Sequence, residues 1–141
     1  MRSWYTKPTP AMKSLIWVVG EILLVFILLS LPGNNFSHPH YWIDDLQIDK
    51  LVHMALFGSL ALSFFVHFES TNSKFLKSIR AKALTLIFCT LYGIGMEYYQ
   101  KYFAPTRGFE VTDMLADAIG AILALPFFTI IRKKYLTSFS K

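Results

Sequence analysis

Eight residues of this chain combine types and spacings that can do chemistry: Asp49, Lys50, His53, Glu97, Gln100, Arg107, Asp113 and Asp117. An imidazole beside a carboxylate can work as a general acid/base pair, which makes His53 and Glu97 the catalytic candidates. Arg107 and Lys50 can hold an anionic group such as a phosphate or carboxylate, Arg107 through its planar fork. Asp49 and His53 stand one helical turn apart and can ligate a metal together with Glu97 or Asp117. No second His and no Cys stands at ligand spacing, so no metal and no cofactor is expected. No nucleophile with an adjacent base is evident: Ser59 and Ser63 lie deeper than the acids, and Thr112 lacks a base beside it. The bland alternative is that Lys50 and Arg107 neutralise Asp49, Asp113 or Glu97 in ion pairs that only fix helix register.

The elements that must position these residues are apolar. The chain has 141 residues, the length of one domain, and is 54% hydrophobic and 16% aromatic. Four continuous apolar runs are long enough to cross a bilayer, over 14–31, 51–68, 83–103 and 114–131. Short connections between them predict an all-α, antiparallel four-helix membrane bundle forming a single domain over 1–141. The first run follows Arg2, Lys7 and Lys13, as a signal peptide does. Its apolar core is too long for one and no small-x-small cleavage site follows, so an anchor is expected. Residues 1–12 are polar and proline-interrupted, 34–48 read as a loop carrying His38 and His40, and 69–82 as a basic link. Along the fourth run Ala116, Gly120 and Ala124 form a small-residue stripe that permits close helix approach. Pro126 is expected to kink that helix. The single cysteine, Cys89, lies mid-span.

The net charge of +5 does not point to nucleic acid, because the basic residues flank the apolar runs rather than forming a groove. Of the 14 Lys and Arg, 11 lie in the N-terminal segment, the middle link and the tail. Positive-inside bias therefore predicts both termini and the middle link in the cytoplasm, with the other two connections outside. A helix rises ~1.5 Å per residue, so His53 lies about 6 Å inward of Asp49 and Glu97 about 9 Å inward of Phe103. By the same rise, Asp117 lies about 6 Å below Asp113. Three separate helices thus bring polar residues to one layer near the outer surface. Residues three and four apart share a helix face, which groups Asp49 with His53 and Phe57, Gly93 with Glu97 and Gln100, and Asp113 with Asp117 and Gly120. An ionisable residue inside a membrane marks a functional site by default. Glu21 stands apart, mid-span in the first run, and must face the bundle or carry a proton.

In order, DKLVHMALF, MEYYQ, TRGF and DMLADAIGA resemble the VanZ-like family. That family enters one span through Asp-Lys-x-x-His, leaves the next through Glu-x-x-Gln, and follows an Arg loop with an Asp-x-x-x-Asn-x-x-Gly helix. The likeness covers roughly 49–124. It departs at Asp117, which stands where the family usually has Asn. The resemblance implies a small multi-pass protein of the bacterial cytoplasmic membrane, linked through the family's namesake to teicoplanin resistance at the cell envelope. It supplies no reaction. The expected function is a polar pocket near the outer leaflet that binds an anionic lipid-linked or glycopeptide-related ligand. The expected partner is a membrane lipid or a lipid-linked cell-wall precursor. The alternatives are an intramembrane hydrolase or transferase acting on a lipid-linked phosphate or sugar, and a small carrier.

The cluster does not balance electrically. Asp49, Glu97, Asp113 and Asp117 outnumber Lys50 and Arg107 by two charges when His53 is neutral, and Glu110 is set against Lys101 at the rim. A protonated His53, a protonated acid or a bound cation can each restore balance. Protonation, with Glu97 or Asp117 sharing a proton, is the expected remedy.

Overall fold

A computed structural model describes residues 9–31, 44–104 and 108–133. Arg107, His38 and His40 lie outside the described residues. Four helices are present: α1 (Pro10–Ser30), α2 (Asp44–Ser70), α3 (Ile79–Phe103) and α4 (Val111–Ile131). All four are long and apolar enough to cross a membrane, α2 over its Ile48–Ser70 portion. No strand occurs among the described residues.

The helices outrun their apolar cores, because local capping decides where a helix starts. Thr9 accepts a hydrogen bond from the Met12 N–H through Oγ1 at 3.2 Å, and Pro10 takes the first helical position. Helix α1 therefore begins four residues before the apolar run, inside the segment read as proline-interrupted. Helix α2 starts at Asp44, not after residue 48. The link between α2 and α3 shrinks accordingly, and the Ser78 hydroxyl caps α3 by accepting from Ala81 N at 3.3 Å. Helix α4 runs on to Ile131 with Pro126 inside it.

Contacts between elements give the directions. Ser14 at the start of α1 reaches His67 and Ser70 at the end of α2, at 3.0 and 2.7 Å. Tyr92 and Gln100 of α3 bond carbonyls of Ile22 and Leu29, so α1 and α3 run the same way. Helices α2 and α4 also run parallel: His53 meets Asp117, Phe65 meets Phe128 with ring centroids 5.6 Å apart, and Glu69 meets Arg132 at 3.4 Å. The result is the antiparallel bundle expected.

The α2–α4 crossing is the tightest in the bundle. A methyl group on Gly120 would run into the Met54 backbone, 2.7 Å from its Cα, and one on Gly58 would stand 3.1 Å from the Gly120 carbonyl oxygen. Ala116 and Ala124 are buried on the same face. The expected small-residue stripe thus sets this crossing.

The bundle is polar inside at one end and apolar outside throughout. Trp17, Leu91 and Phe127 are 72%, 62% and 62% exposed, while Glu97 and Asp117 are fully buried. Large apolar side chains turned outward along every helix, with the backbone paired within helices, suit a hydrocarbon solvent. The chain is a multi-pass membrane protein.

Candidate functional site

The polar layer is built where α2, α3 and α4 meet at one end of the bundle. From α2 come Asp49, Lys50 and His53, the last 1% exposed. From α3 come Glu97 and Gln100, and from α4 Asp113 and Asp117, all buried. Below the layer the core is apolar, formed by Phe57, Leu60, Ala61, Phe65 and Phe128.

His53 and Asp117 are its inner pair. Nδ1 of His53 lies 2.9 Å from Oδ1 of Asp117. With Asp117 ionised its carboxylate only accepts, so Nδ1 carries the hydrogen and Nε2 is the nitrogen left for other partners. Space for Asp117 comes from α3: a Cβ on Gly93 would lie 2.9 Å from the Asp117 Cβ and 3.0 Å from its Cγ. The glycine on the Glu97 face is therefore a slot for the acid opposite. Asp117 Oδ2 is buried there with no hydrogen-bond partner among the described residues.

Glu97 turns toward the start of α4. Its Oε2 accepts the Glu110 N–H at 2.9 Å, and its Oε1 is buried without a hydrogen-bond partner among the described residues. The start of a helix exposes unpaired N–H groups and positive dipole, which favours Glu97 and Asp113 there. Gln100 is buried in the same helix face but donates Nε2 to the Leu29 carbonyl at 2.8 Å. That carbonyl lies in the last turn of α1, where backbone acceptors lack helical partners. Gln100 thus ties α1 to the layer.

At the rim, Lys50 Nζ lies 3.2 Å from Glu110 Oε2 and 3.5 Å from Asp113 Oδ1. Glu110 also accepts from the Thr112 hydroxyl at 3.2 Å. The rim pairing expected between Lys101 and Glu110 is replaced: the Lys101 ammonium lies over the Tyr102 and Phe109 rings, at 5.7 and 5.2 Å. Glu110 is the site residue that sequence reasoning missed. The available signal was its position three residues before Asp113, which puts both on the Lys50 side of α4. Asp49 is half-buried, one turn outward of His53.

Glu21 is half-buried and outside this layer. Its Oε2 accepts from Ser59 Oγ at 3.2 Å, so it faces α2, as one of its two readings required.

A sequence profile of the VanZ/LLP1 family matches residues 6–132. No curated protein and no solved structure matches the chain.

Proposed function

The chain belongs to the VanZ/LLP1 family, and from that premise we propose that its polar layer binds an anionic, lipid-linked ligand of the bacterial cell envelope. One observation carries the reading: a fully buried His, three buried acids and a half-buried Lys converge at one end of an otherwise apolar bundle. Burying that many ionisable groups in a membrane is costly and is retained where a ligand uses them. Lys50 and Arg107, the latter on the connection between α3 and α4, supply the positive charge for a phosphate or carboxylate. The neighbouring membrane holds the ligand's lipid part. The site faces the outer leaflet of the cytoplasmic membrane, where cell-wall precursors meet glycopeptides, and through it the protein contributes to teicoplanin-type resistance.

A polyprenyl phosphate is the probe. The purified chain in nanodiscs is expected to bind it, and Arg107→Lys to weaken binding about tenfold or more, because Lys keeps the charge but loses the bidentate fork. Glu97→Gln and Arg107→Lys should each abolish any change in glycopeptide susceptibility while the protein stays folded and inserted. Loss of folding in both variants would support the register-only ion pairs instead.

The hydrogen-bonded His53–Asp117 pair also favours a second reading, an intramembrane hydrolase or transferase with His53 and Glu97 as acid and base. Release of inorganic phosphate from the same probe separates turnover from binding.

Orientation has its own test. Single cysteines at Asn34 and Thr106, in a Cys89→Ala background, are expected to react with an impermeant thiol reagent from outside the cell. Cysteines at Thr71 and the C-terminus should react only after the membrane is opened. Strong outside labelling at Thr71 would invert the topology and the leaflet assignment with it.

A further inference from the structure

The described layer is more acidic than an anion site should be. Among the described residues, Asp49, Glu97, Glu110, Asp113 and Asp117 share this end of the bundle with Lys50, which stands 3.2 Å from Glu110 and 3.5 Å from Asp113. With Glu110 joined to Lys50 rather than to Lys101, the imbalance exceeds that read from the sequence. Lys50 by itself cannot balance these five carboxylates.

The geometry supplies a remedy. Potential ligand atoms of Asp49, His53 and Asp113 all lie within 4.8 Å of one another. Ligands of one ion held at ~2.1 Å stand ~3–4 Å apart, so a small side-chain adjustment closes the set. Asp49 and His53 occupy successive turns of α2. Asp113 faces them from α4, which runs parallel in a register locked by the Gly120–Met54 backbone contact. Asp117 holds the His53 Nδ1 at 2.9 Å, which leaves the Nε2 lone pair for an ion. A carboxylate behind a ligating imidazole fixes its tautomer and raises its basicity. The buried Asp113 Oδ1 accepts no hydrogen bond among the described residues and has the Lys50 ammonium 3.5 Å away, the contact an ion would displace. Only one His was legible at ligand spacing in the sequence. The third ligand comes from a different helix.

We propose that Asp49, His53 and Asp113 hold a divalent first-row metal ion, Mn2+ or Zn2+, with Asp117 positioning the imidazole from behind. One imidazole and two carboxylates suit both ions and leave coordination positions open. On the lipid-phosphate reading, an open position takes a ligand oxygen, so the ion bridges an acidic site to an anionic headgroup. Binding of the ion itself does not depend on that reading. Lys50 competes with the ion for Asp113 and keeps Glu110 when the ion is bound.

The test uses the full chain, purified in detergent, stripped with a chelator and titrated with Mn2+ and Zn2+ in the absence of added lipid. One equivalent is expected, read by elemental analysis after desalting for Zn2+ and by loss of the free-ion electron paramagnetic resonance signal for Mn2+. His53→Gln and Asp113→Asn should each bind at least 100-fold more weakly. Lys50→Gln, which removes the competing ammonium, should bind several-fold more tightly, and register-only ion pairs give no reason for that gain. Bound Mn2+ in the wild type should show nitrogen modulation from the imidazole, a readout that survives if the variants fail to fold. No binding at 1 mM of either ion, bound Mn2+ without nitrogen coupling, or unchanged affinity in both ligand variants would each overturn the site. Polyprenyl phosphate binding that needs no ion would remove the bridge alone, and stoichiometric ion uptake without phosphate binding would remove only the lipid reading.

Discussion

Gly120→Ala is expected to lower the thermal stability of the detergent-purified protein sharply, by more than the typical overpacking cost of about 1–3 kcal/mol. The added methyl meets the Met54 backbone, including its Cα at 2.7 Å, and backbone cannot rotate away as a side chain can. Relief requires α2 and α4 to separate, which also pulls His53 from Asp117. Gly95→Ala is the control. Nothing lies within 4 Å of a Cβ at that position, so it should be neutral or mildly stabilising through helix propensity alone. Both changes gain the same propensity, so their difference isolates the crossing. Equal melting of the two variants would refute a backbone contact there.

Asp117 gives the second large effect, and its sign depends on the charge of His53. The carboxylate is fully buried, with one oxygen on His53 Nδ1 and the other without a hydrogen bond among the described residues. Asp117→Asn keeps an oxygen for the Nδ1 hydrogen and removes a buried charge. With a neutral imidazole, the metal-free Asn variant should melt above the wild type. Asp117→Ala removes the acceptor as well, leaving a buried N–H unpaired, and should fall about 1–3 kcal/mol below the Asn variant. Thermal denaturation of all three after chelation decides it. An Asn variant less stable than the wild type would mean an imidazolium–carboxylate pair, in which Nε2 also carries a proton and has no lone pair for a metal. Because the family pattern that the sequence resembles has Asn here, the proposed envelope function should persist in this variant.

Span number and the gathering of His53, Glu97, Asp113 and Asp117 at one depth are legible in the sequence because both rest on strong one-dimensional signals. Apolar run length marks a helix that crosses a membrane, and three- or four-residue spacing puts Asp49 with His53 and Asp113 with Asp117. Partnerships between helices are not legible, because spacing fixes a face but says nothing about the helix opposite. Glu110 is a neighbour of Lys101 at the rim, yet pairs with Lys50 sixty residues away. Gln100 reads as a pocket residue, and its amide is used on the end of α1. Gly93 illustrates the same limit. Its place on the Glu97 face is visible, but not that the missing side chain makes room for Asp117. Helix starts are blurred because Thr9 and Pro10 act through hydrogen bonding and φ, to which hydropathy is blind.

The apolar plug beneath the layer has a consequence for a bound ligand. Phe57 lies one turn inward of His53, and Leu60, Ala61, Phe65 and Phe128 fill the bundle axis behind it with almost no exposure. The other intramembrane acid, Glu21, sits to one side on the α1–α2 seam with Ser59. A headgroup or ion bound at the layer, as proposed above, would be held at one end of the bundle with this apolar core beneath it.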